Sequence, residues 1–542
     1  MAVYLNSGSD NFEESLNSPI YLDKSQLIER TNQLIGTRQK YVCISRPRRF
    51  GKTTGLEMLA AYYGKGKDAS CLFNDLKVAK SPFYLKHLNQ YDCVTINMQD
   101  ILSEVKYKLS KEQLPEPSIV PHLIEHLTHG LVADFKECYP NAAYRNVESI
   151  SQTCNDIFSY TKRKFVILID EWDCLFREFK EDHQAQTDYL DFLRLWLKDK
   201  PYVGLAYMTG ILPIKKYGIH SALNMFREFA ITDPYPFEQD FGFTDSEVEK
   251  LCEIYDMNME EMKAWYNGYF VDSDTSIYNP TSVLFSLFNK RFSSYWNKTE
   301  TYEALQKYIR LNFDGLKDSI VQMLSGASFP INVDNFKNDM TTFHDRDDVL
   351  TLLVHLGYLN YNSEEKTVRI PNNEVKQEFR NAIRHLEWGG VNEALDLSAQ
   401  LLKAVWNQEA EIVAEGIQRV HEKNTSILQY NDENALSYVL SLALFAANDY
   451  YWVIRELPTG KGFADLVFLP RKKYEDKPAL VIELKWEKSA TSAIEQIKER
   501  NYGEVLDNYV GDVLLVGINY HKKSKQHECQ IEKIQKRQKS EV

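Results

Sequence analysis

Long apolar runs, paired cysteines and an excess of basic residues are all missing from this sequence. The longest largely apolar run, residues 439–447, contains a serine and is far shorter than the roughly 18 residues that span a bilayer. The N-terminal residues are acidic and polar, without the charged-then-apolar pattern of an export signal. We therefore expect a cytoplasmic protein with no membrane-spanning segment and no membrane partner.

The eight cysteines are widely spread, with no C-x-x-C pair and no cysteine–histidine cluster at zinc spacing, so we expect them to be reduced and mostly buried. With 64 Lys and Arg against 77 Asp and Glu, the net charge is −13, which argues against nonspecific coating of nucleic acid. Residues 521–542, with seven Lys or Arg against three Glu, are the one candidate for a local basic patch. We favour the alternative, a solvated and frayed tail.

Apolar residues, by contrast, are abundant. Of the 542 residues, 44% are hydrophobic and 13% are aromatic, which is enough for several buried cores. Short apolar segments alternate with helix-compatible stretches in the N-terminal half, at residues 40–45, 93–97, 165–169 and 202–208. Fully apolar strands that alternate with helices predict a parallel sheet covered on both faces, and hence an α/β fold.

The rest of the chain divides into further parts. Residues 240–330 have mostly helical patterns, and residues 347–386 predict a small winged-helix-like unit. After another helical span to about residue 425, a second compact α/β unit is predicted. Its elements are a helix at 435–447, strands at 451–456, 464–469 and 480–485, and a helix at 492–500.

The first candidate site is the loop between the first strand and the next helix, which ends in Gly51, Lys52, Thr53 and Thr54. In such a loop the backbone N–H groups and the helix N-terminus bind phosphates, the lysine reaches the β- and γ-phosphates, and the threonine hydroxyl binds Mg²⁺. The sequence therefore predicts a site for ATP and Mg²⁺. Arg46 replaces the first glycine of the usual G-x-x-x-x-G-K-[ST] pattern.

Two plainer interpretations of this loop exist. One is a turn glycine followed by an exposed lysine, and the other is a basic targeting or polyanion-binding run at residues 46–49. We favour the nucleotide because a strand precedes the loop, a helix follows it and an acidic motif comes later in the chain. Arg49 and Phe50 are included among the predicted nucleotide-binding residues.

The acidic motif follows the apolar segment at 165–169, where Asp170 and Glu171 stand side by side. A carboxylate at the C-terminal end of a neighbouring parallel strand can hold Mg²⁺, and the next acid can orient the attacking water. We therefore assign Asp170 to the metal and nucleotide, and Glu171 to general-base catalysis. Thr209, at the end of the next apolar strand, is expected to sense the γ-phosphate, with simple strand capping as the alternative.

A second candidate site lies near the C-terminus, where Asp465 opens one apolar strand and Glu483 and Lys485 stand in the next. Alternate residues of a strand share a face, so these groups can share one side of a platform. Asp465 and Glu483 are predicted Mg²⁺ ligands, and Lys485 is predicted to position or deprotonate the attacking water. Glu433 is a further predicted metal ligand, and Gln496 is expected to orient substrate.

This pattern also arises by chance, and the plainer interpretation is an ion pair on a solvent-exposed face of the sheet. We favour metal-assisted phosphodiester hydrolysis because Ile482 and Leu484 are expected to form a core face on the other side of the strand. The order helix, strand, strand, helix around the charges supports the same interpretation.

Further motifs, in order along the chain, make the sequence similar to a known family. They are Tyr21-Leu-Asp-Lys24, Ile169-Asp-Glu-Trp-Asp173, Thr209-Gly210, Phe241-Gly-Phe-Thr244, Trp265-Tyr-Asn-Gly-Tyr269, Tyr278-Asn-Pro280, Gly357-Tyr-Leu359 and Ile370-Pro-Asn372. Together with the phosphate loop, they resemble the AAA-ATPase-like proteins of bacteria, in which a C-terminal nuclease domain of the PD-(D/E)XK superfamily follows. The resemblance covers nearly the whole chain, and that family also carries arginine-rich residues at the usual first glycine.

The resemblance implies a plan of five segments. They are a P-loop AAA-ATPase-like domain at 1–235, a helical subdomain at 236–345, a winged-helix-like and helical connector at 346–424, a restriction-endonuclease-like α/β domain at 425–520 and a basic tail at 521–542. The sequence departs from the family at Trp172, where tyrosine is usual, and at Phe463, where a Gly-Arg-x-Asp pattern would place arginine. The second change removes a cation beside the predicted metal site.

The function that follows is an ATP-dependent or ATP-regulated nuclease. Its expected cofactors are ATP and Mg²⁺. Its expected partner is a nucleic acid at the C-terminal domain, and DNA is the nucleic acid that we expect. A homo-oligomer is one of the assembly states we expect. The alternative is a nucleotide-switch or signalling ATPase whose C-terminal domain binds nucleic acid or protein without cutting, and a third hypothesis is a scaffold in which both sites have decayed.

Overall fold

The structure is a computed structural model that describes residues 3–112, 119–214, 223–271, 275–295, 302–311, 313, 315–324, 326–334, 336, 340–341, 343–386, 388–424, 433–459, 462–471, 474–499, 511–524 and 526–535. It divides into two units: Met1–Thr299 with Pro330–Val375, and Glu300–Phe329 with Lys376–Val542. Over these described ranges, no helix combines the length and the apolar character needed to cross a bilayer.

A five-stranded parallel sheet forms the centre of the first unit. Its strands are β1 (Tyr41–Ser45), β2 (Asp92–Asn97), β3 (Phe165–Asp170), β4 (Val203–Gly210) and β5 (Arg227–Phe229), in the order β2-β3-β4-β1-β5. Every residue of β1, β3 and β4 is buried. The predicted parallel sheet is confirmed, and only β5 was missed, because its three residues contain no apolar run.

Ten helices belong to this part of the first unit within the described residues. They are α1 (Asp10–Leu16), α2 (Gln26–Leu34), α3 (Lys52–Tyr63), α4 (Ser70–Phe73), α5 (Tyr84–His87), α6 (Met98–Glu112), α7 (Ile119–Cys138), α8 (Ile150–Thr161), α9 (Cys174–Glu178) and α10 (His183–Leu197), with a 3₁₀ turn at Lys77–Lys80. Helix α3 begins directly after Gly51, whose φ of +86° is a left-handed conformation that glycine adopts at little cost. This glycine turns the chain from the end of β1 into the helix.

The next stretch is helical, as predicted, but it also contains a small antiparallel sheet. Its elements are β6 (Phe243–Thr244), α11 (Asp245–Ile254), α12 (Met259–Tyr266), β7 (Tyr269–Phe270), β8 (Ser276–Tyr278) and α13 (Pro280–Asn289). Helix α11 starts with a capping box in which Thr244 and Glu247 satisfy each other's backbone N–H groups. The strands were not predicted because two or three residues are too few to show a period of two.

The following elements lie on both sides of a unit boundary. Helices α14 (Tyr302–Ile309) and α15 (Leu316–Leu324) belong to the second unit, and β9 (Phe329–Pro330), α16 (Arg346–Leu356), β10 (Asn360–Asn362), β11 (Thr367–Arg369) and α17 (Asn373–Arg384) come next. The order helix, hairpin, helix matches the elements predicted at 347–386.

The family-like motifs of the first unit pack against one another. Gly268 has a φ of +103°, and a Cβ on it would lie 2.2 Å from the carbonyl oxygen of Pro371. Asn372 donates to the carbonyl oxygen of Asn267 over 2.8 Å, and the Tyr269 hydroxyl donates to the carbonyl oxygen of Gly357 over 2.9 Å. These motifs are therefore structural contacts rather than parts of a reaction site.

The second unit is built around a mixed five-stranded sheet. Its elements after α17 are α18 (Gly389–Trp406), α19 (Ala410–Asn424), α20 (Glu433–Ala443), a 3₁₀ turn (Phe445–Asp449), β12 (Tyr451–Thr459), β13 (Gly462–Pro470), β14 (Ala479–Trp486), α21 (Ala490–Glu499), β15 (Asp512–His521) and β16 (Gln526–Gln535). The strand order is β12-β13-β14-β15-β16, and only the β14–β15 pair among them is parallel. The predicted helix, three strands and helix are confirmed.

The end of the chain corrects the sequence-based expectation. The predicted frayed tail at 521–542 is wrong for Gln526–Gln535, because this segment forms β16 and pairs with β15 along its whole length. A strand at the edge of a sheet is held by backbone hydrogen bonds and buries little of its side-chain surface, so a polar sequence is compatible with it. Residues 536–542 lie outside the described part of the chain.

Candidate functional site

The loop between β1 and α3 has the geometry of a phosphate site. Gly51 at the end of the loop is exposed, as are Thr53 and Thr54 in the first turn of α3, whereas Lys52 is 5% exposed. The Nζ atom of Lys52 donates to the carbonyl oxygens of Arg46 and Pro47, at 3.1 and 3.0 Å. The first N–H groups of a helix have no acceptor within the helix, so the start of α3 presents donors to an anion.

Arg46 has a structural role at the position of the usual first glycine. Its side chain is fully buried and donates to the carbonyl oxygens of Ser45, Phe229 and Phe237 over 2.9, 2.7 and 3.3 Å. Burial lowers the pKa of Arg46 to about 10, against the opposing effect of nearby acidic groups. The arginine therefore fastens the start of the loop to its neighbours and does not face a ligand.

Arg49 and Phe50 were both assigned to the nucleotide. Arg49 has a φ of +69° in the turn of the loop. Phe50 is fully buried, and its ring meets that of Tyr269 edge to face at 5.1 Å. The assignments of both residues stay predictions, although Phe50 also lines a cavity beside the loop.

The acidic motif meets the loop directly. The hydroxyl of Thr53 donates to Oδ2 of Asp170 over 2.7 Å, which joins the first turn of α3 to the end of β3. The hydroxyl of Thr209, at the penultimate position of β4, donates to Oδ1 of the same carboxylate. Thr209 is fully buried, so in this structure it positions Asp170, and a contact with a γ-phosphate stays a prediction.

Glu171 follows β3 in a left-handed conformation with a φ of +51°. Its Oε2 accepts from Nη2 of Arg177, a residue of α9. Nε of Arg177 also lies 3.4 Å from Oδ1 of Asp173. Asp173 is fully buried and accepts from the backbone N–H groups of Ile211 and Leu212 over 3.0 and 2.8 Å. This second carboxylate is therefore fixed by backbone contacts.

Burial dominates the electrostatics of the site. It lowers the pKa of the Lys52 ammonium, although Glu171, Asp170 and Asp173 oppose this effect. Burial likewise raises the pKa of Glu171, and the positive charges of Arg177 and Lys52 counteract it. Several opposite charges in one desolvated place are typical of a functional site.

An apolar cavity adjoins the loop. It has a volume of about 220 Å³, and Gly51, Thr54 and Met58 line it together with Phe12, Ile20, Leu22, Phe243 and Leu284. Among the lining residues are also Lys24 and Asp240. A cavity of this kind offers room for a flat apolar group next to bound phosphates.

The oxygen donors at the loop fit Mg²⁺. A threonine hydroxyl and a carboxylate, Thr53 and Asp170, are 2.7 Å apart, and both are ligand types that Mg²⁺ accepts together with water and phosphate oxygens. No group of three or more His, Cys, Asp or Glu side chains that could hold a metal ion occurs within the described residues.

The second candidate site is closed inside the C-terminal unit. Glu483 and Lys485 of β14 are 1% and 5% exposed. Nζ of Lys485 lies 3.1 Å from Oε1 of Glu483, and Nε2 of Gln496 donates to the same oxygen. The predicted core face on the other side of the strand is confirmed, since Ile482 and Leu484 are buried as well.

Helix α21 covers the face of the sheet that carries these charges. Gly517 of β15 pairs with Glu483, and a Cβ on Gly517 would lie 2.4 Å from the carbonyl oxygen of Ala490. The interpretation of an ion pair on a solvent-exposed face is therefore wrong, because a helix lies directly over it. An ionised pair that is buried in this way loses its hydration, so it is weak evidence for stability and is more typical of a functional site.

The backbone places Asp465 beside Glu483. Leu466 pairs with Ile482 in the antiparallel β13–β14 ladder, and Asp465 and Glu483 are the next residues past this pair on their strands. Three predicted side chains, those of Asp465, Glu433 and Phe463, lie outside the described part of the structure. The roles assigned to these residues stay predictions.

Sequence reasoning missed Arg177 and the strand β15. Asp173 and Arg177 are four residues apart, which is the spacing of an ion pair on a helix, so the pattern was available. Residues 513–516 are an apolar run that indicates a strand and thereby a partner for β14. Both signals were present in the sequence.

Comparisons with known proteins agree with this geometry. A family model described as a predicted AAA-ATPase matches residues 7–220, and a model of the PD-(D/E)XK nuclease superfamily matches residues 431–530. An uncharacterized protein from the vnfD 5′ region of Azotobacter chroococcum mcd 1 is 24% identical over 296 residues, 52% of this chain and 51% of that protein. The chain thus spans about half the length of this curated relative.

Two solved structures are similar over about two thirds of the chain. The Walker-type ATPase PABY2304 of Pyrococcus abyssi is 13% identical with a TM-score of 0.35, over 66% of this chain and 94% of that one. The Aeropyrum pernix ORC2 protein is 10% identical with a TM-score of 0.25, over 67% of this chain and 92% of that one. On its sequence matches and its topology, the chain carries an AAA-ATPase-like domain at its N-terminus and a domain of the PD-(D/E)XK nuclease superfamily at its C-terminus.

Proposed function

We propose that the N-terminal unit binds and hydrolyses ATP with Mg²⁺. We also propose that the C-terminal domain is a metal-dependent nuclease acting on nucleic acid, with DNA as the expected substrate. The observation that carries the proposal is the 2.7 Å contact between Thr53 and Asp170, because it brings the phosphate loop and the acidic motif into one site. These two elements are the minimal set for binding a nucleotide with its metal.

The residues around this contact have complementary roles. Lys52 holds two neutral carbonyl oxygens, and a phosphate oxygen is a stronger acceptor that can replace them. Glu171 is the general base for the attacking water. The neighbouring cavity of about 220 Å³ is assigned to the nucleobase, since flat apolar rings fit its apolar lining.

The C-terminal proposal is supported by the buried contact of Glu483, Lys485 and Gln496. Glu483, with Asp465 as its neighbour on the adjacent strand, is assigned to the metal. Lys485 is assigned to the attacking water or to the charge that develops on the phosphate. Metal-assisted hydrolysis of a phosphodiester is the chemistry that such groups support.

A hydrolysis assay tests the N-terminal proposal. Purified full-length protein with ATP and Mg²⁺ should release phosphate, and Lys52→Ala should lower both nucleotide affinity and turnover at least about 100-fold. Lys65→Ala, which removes an exposed lysine just past the end of the same helix, is the matched control and should be unchanged. Equal affinity in Lys52→Ala and the parent would remove the phosphate-loop assignment.

A cleavage assay tests the C-terminal proposal. The parent is incubated with Mg²⁺ or Mn²⁺, with and without ATP, and with single- and double-stranded DNA and RNA. Glu483→Gln should abolish cleavage and leave ATP binding intact. The control Glu532→Gln removes a half-exposed carboxylate that pairs with Lys498 in the same unit, and it should cut normally.

Two observations favour a second candidate, a nucleotide switch whose C-terminal domain binds without cutting. Glu483 and Lys485 neutralise each other under α21, and Phe463 removes a cation that the family pattern would supply. An inert parent that gains cleavage on Phe463→Arg would support a decayed nuclease. A protein that stays inert after this change and still binds nucleic acid would support the switch.

A further inference from the structure

Glu171 lies in a place where a carboxylate is poorly solvated. Its side chain is 23% exposed and its backbone φ is +51°, a left-handed conformation that costs a non-glycine residue energy. Such conformations persist only when surrounding contacts hold them. The contact that holds this side chain is therefore part of how the site works.

Arg177 supplies that contact. Its Nη2 donates to Oε2 of Glu171 and lies 3.4 Å from Oε1 of Gln99 on α6. Its Nε lies 3.4 Å from Oδ1 of Asp173, and its side chain is 10% exposed. The guanidinium, which α9 carries, thus contacts groups from α6 and from the turn after β3.

Asp173 fixes the guanidinium to the sheet. Its Oδ2 accepts from the backbone N–H groups of Ile211 and Leu212, directly after β4. The contacts run from the end of β4 through Asp173 and Arg177 to Glu171. A rigid second carboxylate therefore sets the position of the cation, and the cation sets the position of the first carboxylate.

We propose that Arg177 is the positioning residue for Glu171, aiming its carboxylate at the attacking water. Arg177 engages Oε2 of Glu171, and Oε1 is the oxygen assigned to the water. The inference rests on the proposed ATPase function of the same site.

The test compares Arg177→Gln, Arg177→Met and Arg177→Lys in the full-length protein, measuring kcat and KM for ATP. We expect the two uncharged variants to lose about 10- to 100-fold in kcat, with KM within threefold of the parent. Arg177→Lys should restore part of the lost kcat.

Arg163→Gln is the matched control. Arg163 also pairs with a fully buried aspartate, Asp92, over 3.1 Å, but at the opposite end of β2. Its variant should keep the kcat and KM of the parent. Since Arg177 acts through Glu171, Arg177→Gln should also change kcat less than twofold when it is added to Glu171→Gln.

The outcomes separate the two proposals. A parent that hydrolyses no ATP overturns the ATPase proposal and this inference with it. An active parent whose uncharged Arg177 variants keep its kcat overturns this inference alone. The same holds for a loss of kcat without rescue by lysine, and for full additivity with Glu171→Gln, because both mean that Arg177 is only structural.

Discussion

The two lysines of the candidate sites are equally buried but are held by different groups. Lys52 and Lys485 are each 5% exposed. Lys52 donates to two backbone carbonyl oxygens, whereas Lys485 pairs with the carboxylate of Glu483 at 3.1 Å. Lys52 can therefore exchange its neutral acceptors for a charged phosphate, whereas the carboxylate of Glu483 already balances the charge of Lys485. One site is prepared for an anion, and the other is compensated within its own strand.

Replacing each lysine by methionine should separate these arrangements. Lys485→Met deprives a buried carboxylate of its cation, and we expect it to lower the free energy of unfolding of the C-terminal unit by about 3–5 kcal/mol. Lys52→Met should change the free energy of unfolding of the N-terminal unit by less than about 1 kcal/mol, because burial already disfavours the charged form of Lys52. Urea unfolding measures both values.

The double variant Glu483→Gln with Lys485→Met is the control for this prediction. It removes both charges, so it should recover most of the stability that Lys485→Met alone loses. A double variant as unstable as the single one would show that packing, not charge, explains the loss.

Glu171 should be the acid of its segment that acts as the general base for hydrolysis. Glu171→Gln keeps the shape of the side chain and loses the base, so we expect normal ATP affinity and turnover lowered about 100-fold. Glu178→Gln, which alters the partner of Lys106 on α6, should hydrolyse ATP at the rate of the parent. Asp173 is no substitute as a base, since two backbone N–H groups and Arg177 engage its carboxylate. Unchanged turnover in Glu171→Gln would contradict the assignment.

Restoring the usual glycine at Arg46 should harm the N-terminal unit. Arg46→Gly yields the common pattern in sequence, but it deprives the carbonyl oxygens of Ser45, Phe229 and Phe237 of their donor and leaves a cavity. We expect a loss of roughly 2–3 kcal/mol in the free energy of unfolding. Thermal unfolding of Arg46→Gly measures this loss, and Arg48→Gly, at an exposed position of the same loop, is the control variant. A more stable Arg46→Gly variant would be incompatible with the anchoring role.

Acidification should also distinguish the units. Burial lowers the pKa of His355, in the first unit, and of His527, in the second, to about 3. Unfolded histidine titrates near 6.5, so below that pH the unfolded chain binds a proton that the native state does not, and stability falls. In the first unit, burial raises the pKa of Asp240 to about 7. As the pH falls from 7 towards 4, the native state therefore binds a proton at Asp240 that the unfolded chain does not, and the free energy of unfolding rises.

The second unit should therefore lose more stability than the first between pH 7 and pH 5. His527→Gln should reduce that loss by about 1–2 kcal/mol, because a single proton contributes about 1.4 kcal/mol for each pH unit. Urea unfolding of parent and variant at both pH values measures the difference. An equal pH dependence in the two proteins would show that His527 is not the group responsible.

Much of the first site was predictable from local sequence. The parallel strands β1, β3 and β4 are mostly apolar and buried along their whole length, and a run that is buried on both faces needs no tertiary information to be recognised. The loop before α3 and the acids after β3 follow such strands directly. Their meeting at Thr53 and Asp170 follows from parallel strands whose carboxyl ends share one edge of the sheet.

Elements with weak local signals were less predictable. β5 and the small strands near residue 243 are too short for a period, and β16 is polar because it lies at an edge. Asp173 and Arg177 have the spacing of an ion pair, but the spacing alone does not show that their partner is Glu171.

The sequence by itself determined the α/β class, the phosphate loop, the acidic motif and the Glu-x-Lys strand, because each depends on residues that are close in the chain. Tertiary structure decided what surrounds those residues. It buried Glu483 and Lys485 under α21, turned Arg46 into an anchor of the loop and brought Arg177 to Glu171. Burial and charge neighbours arise from segments far apart in sequence, and they set the protonation and the reach of each group, so only the folded chain determines them.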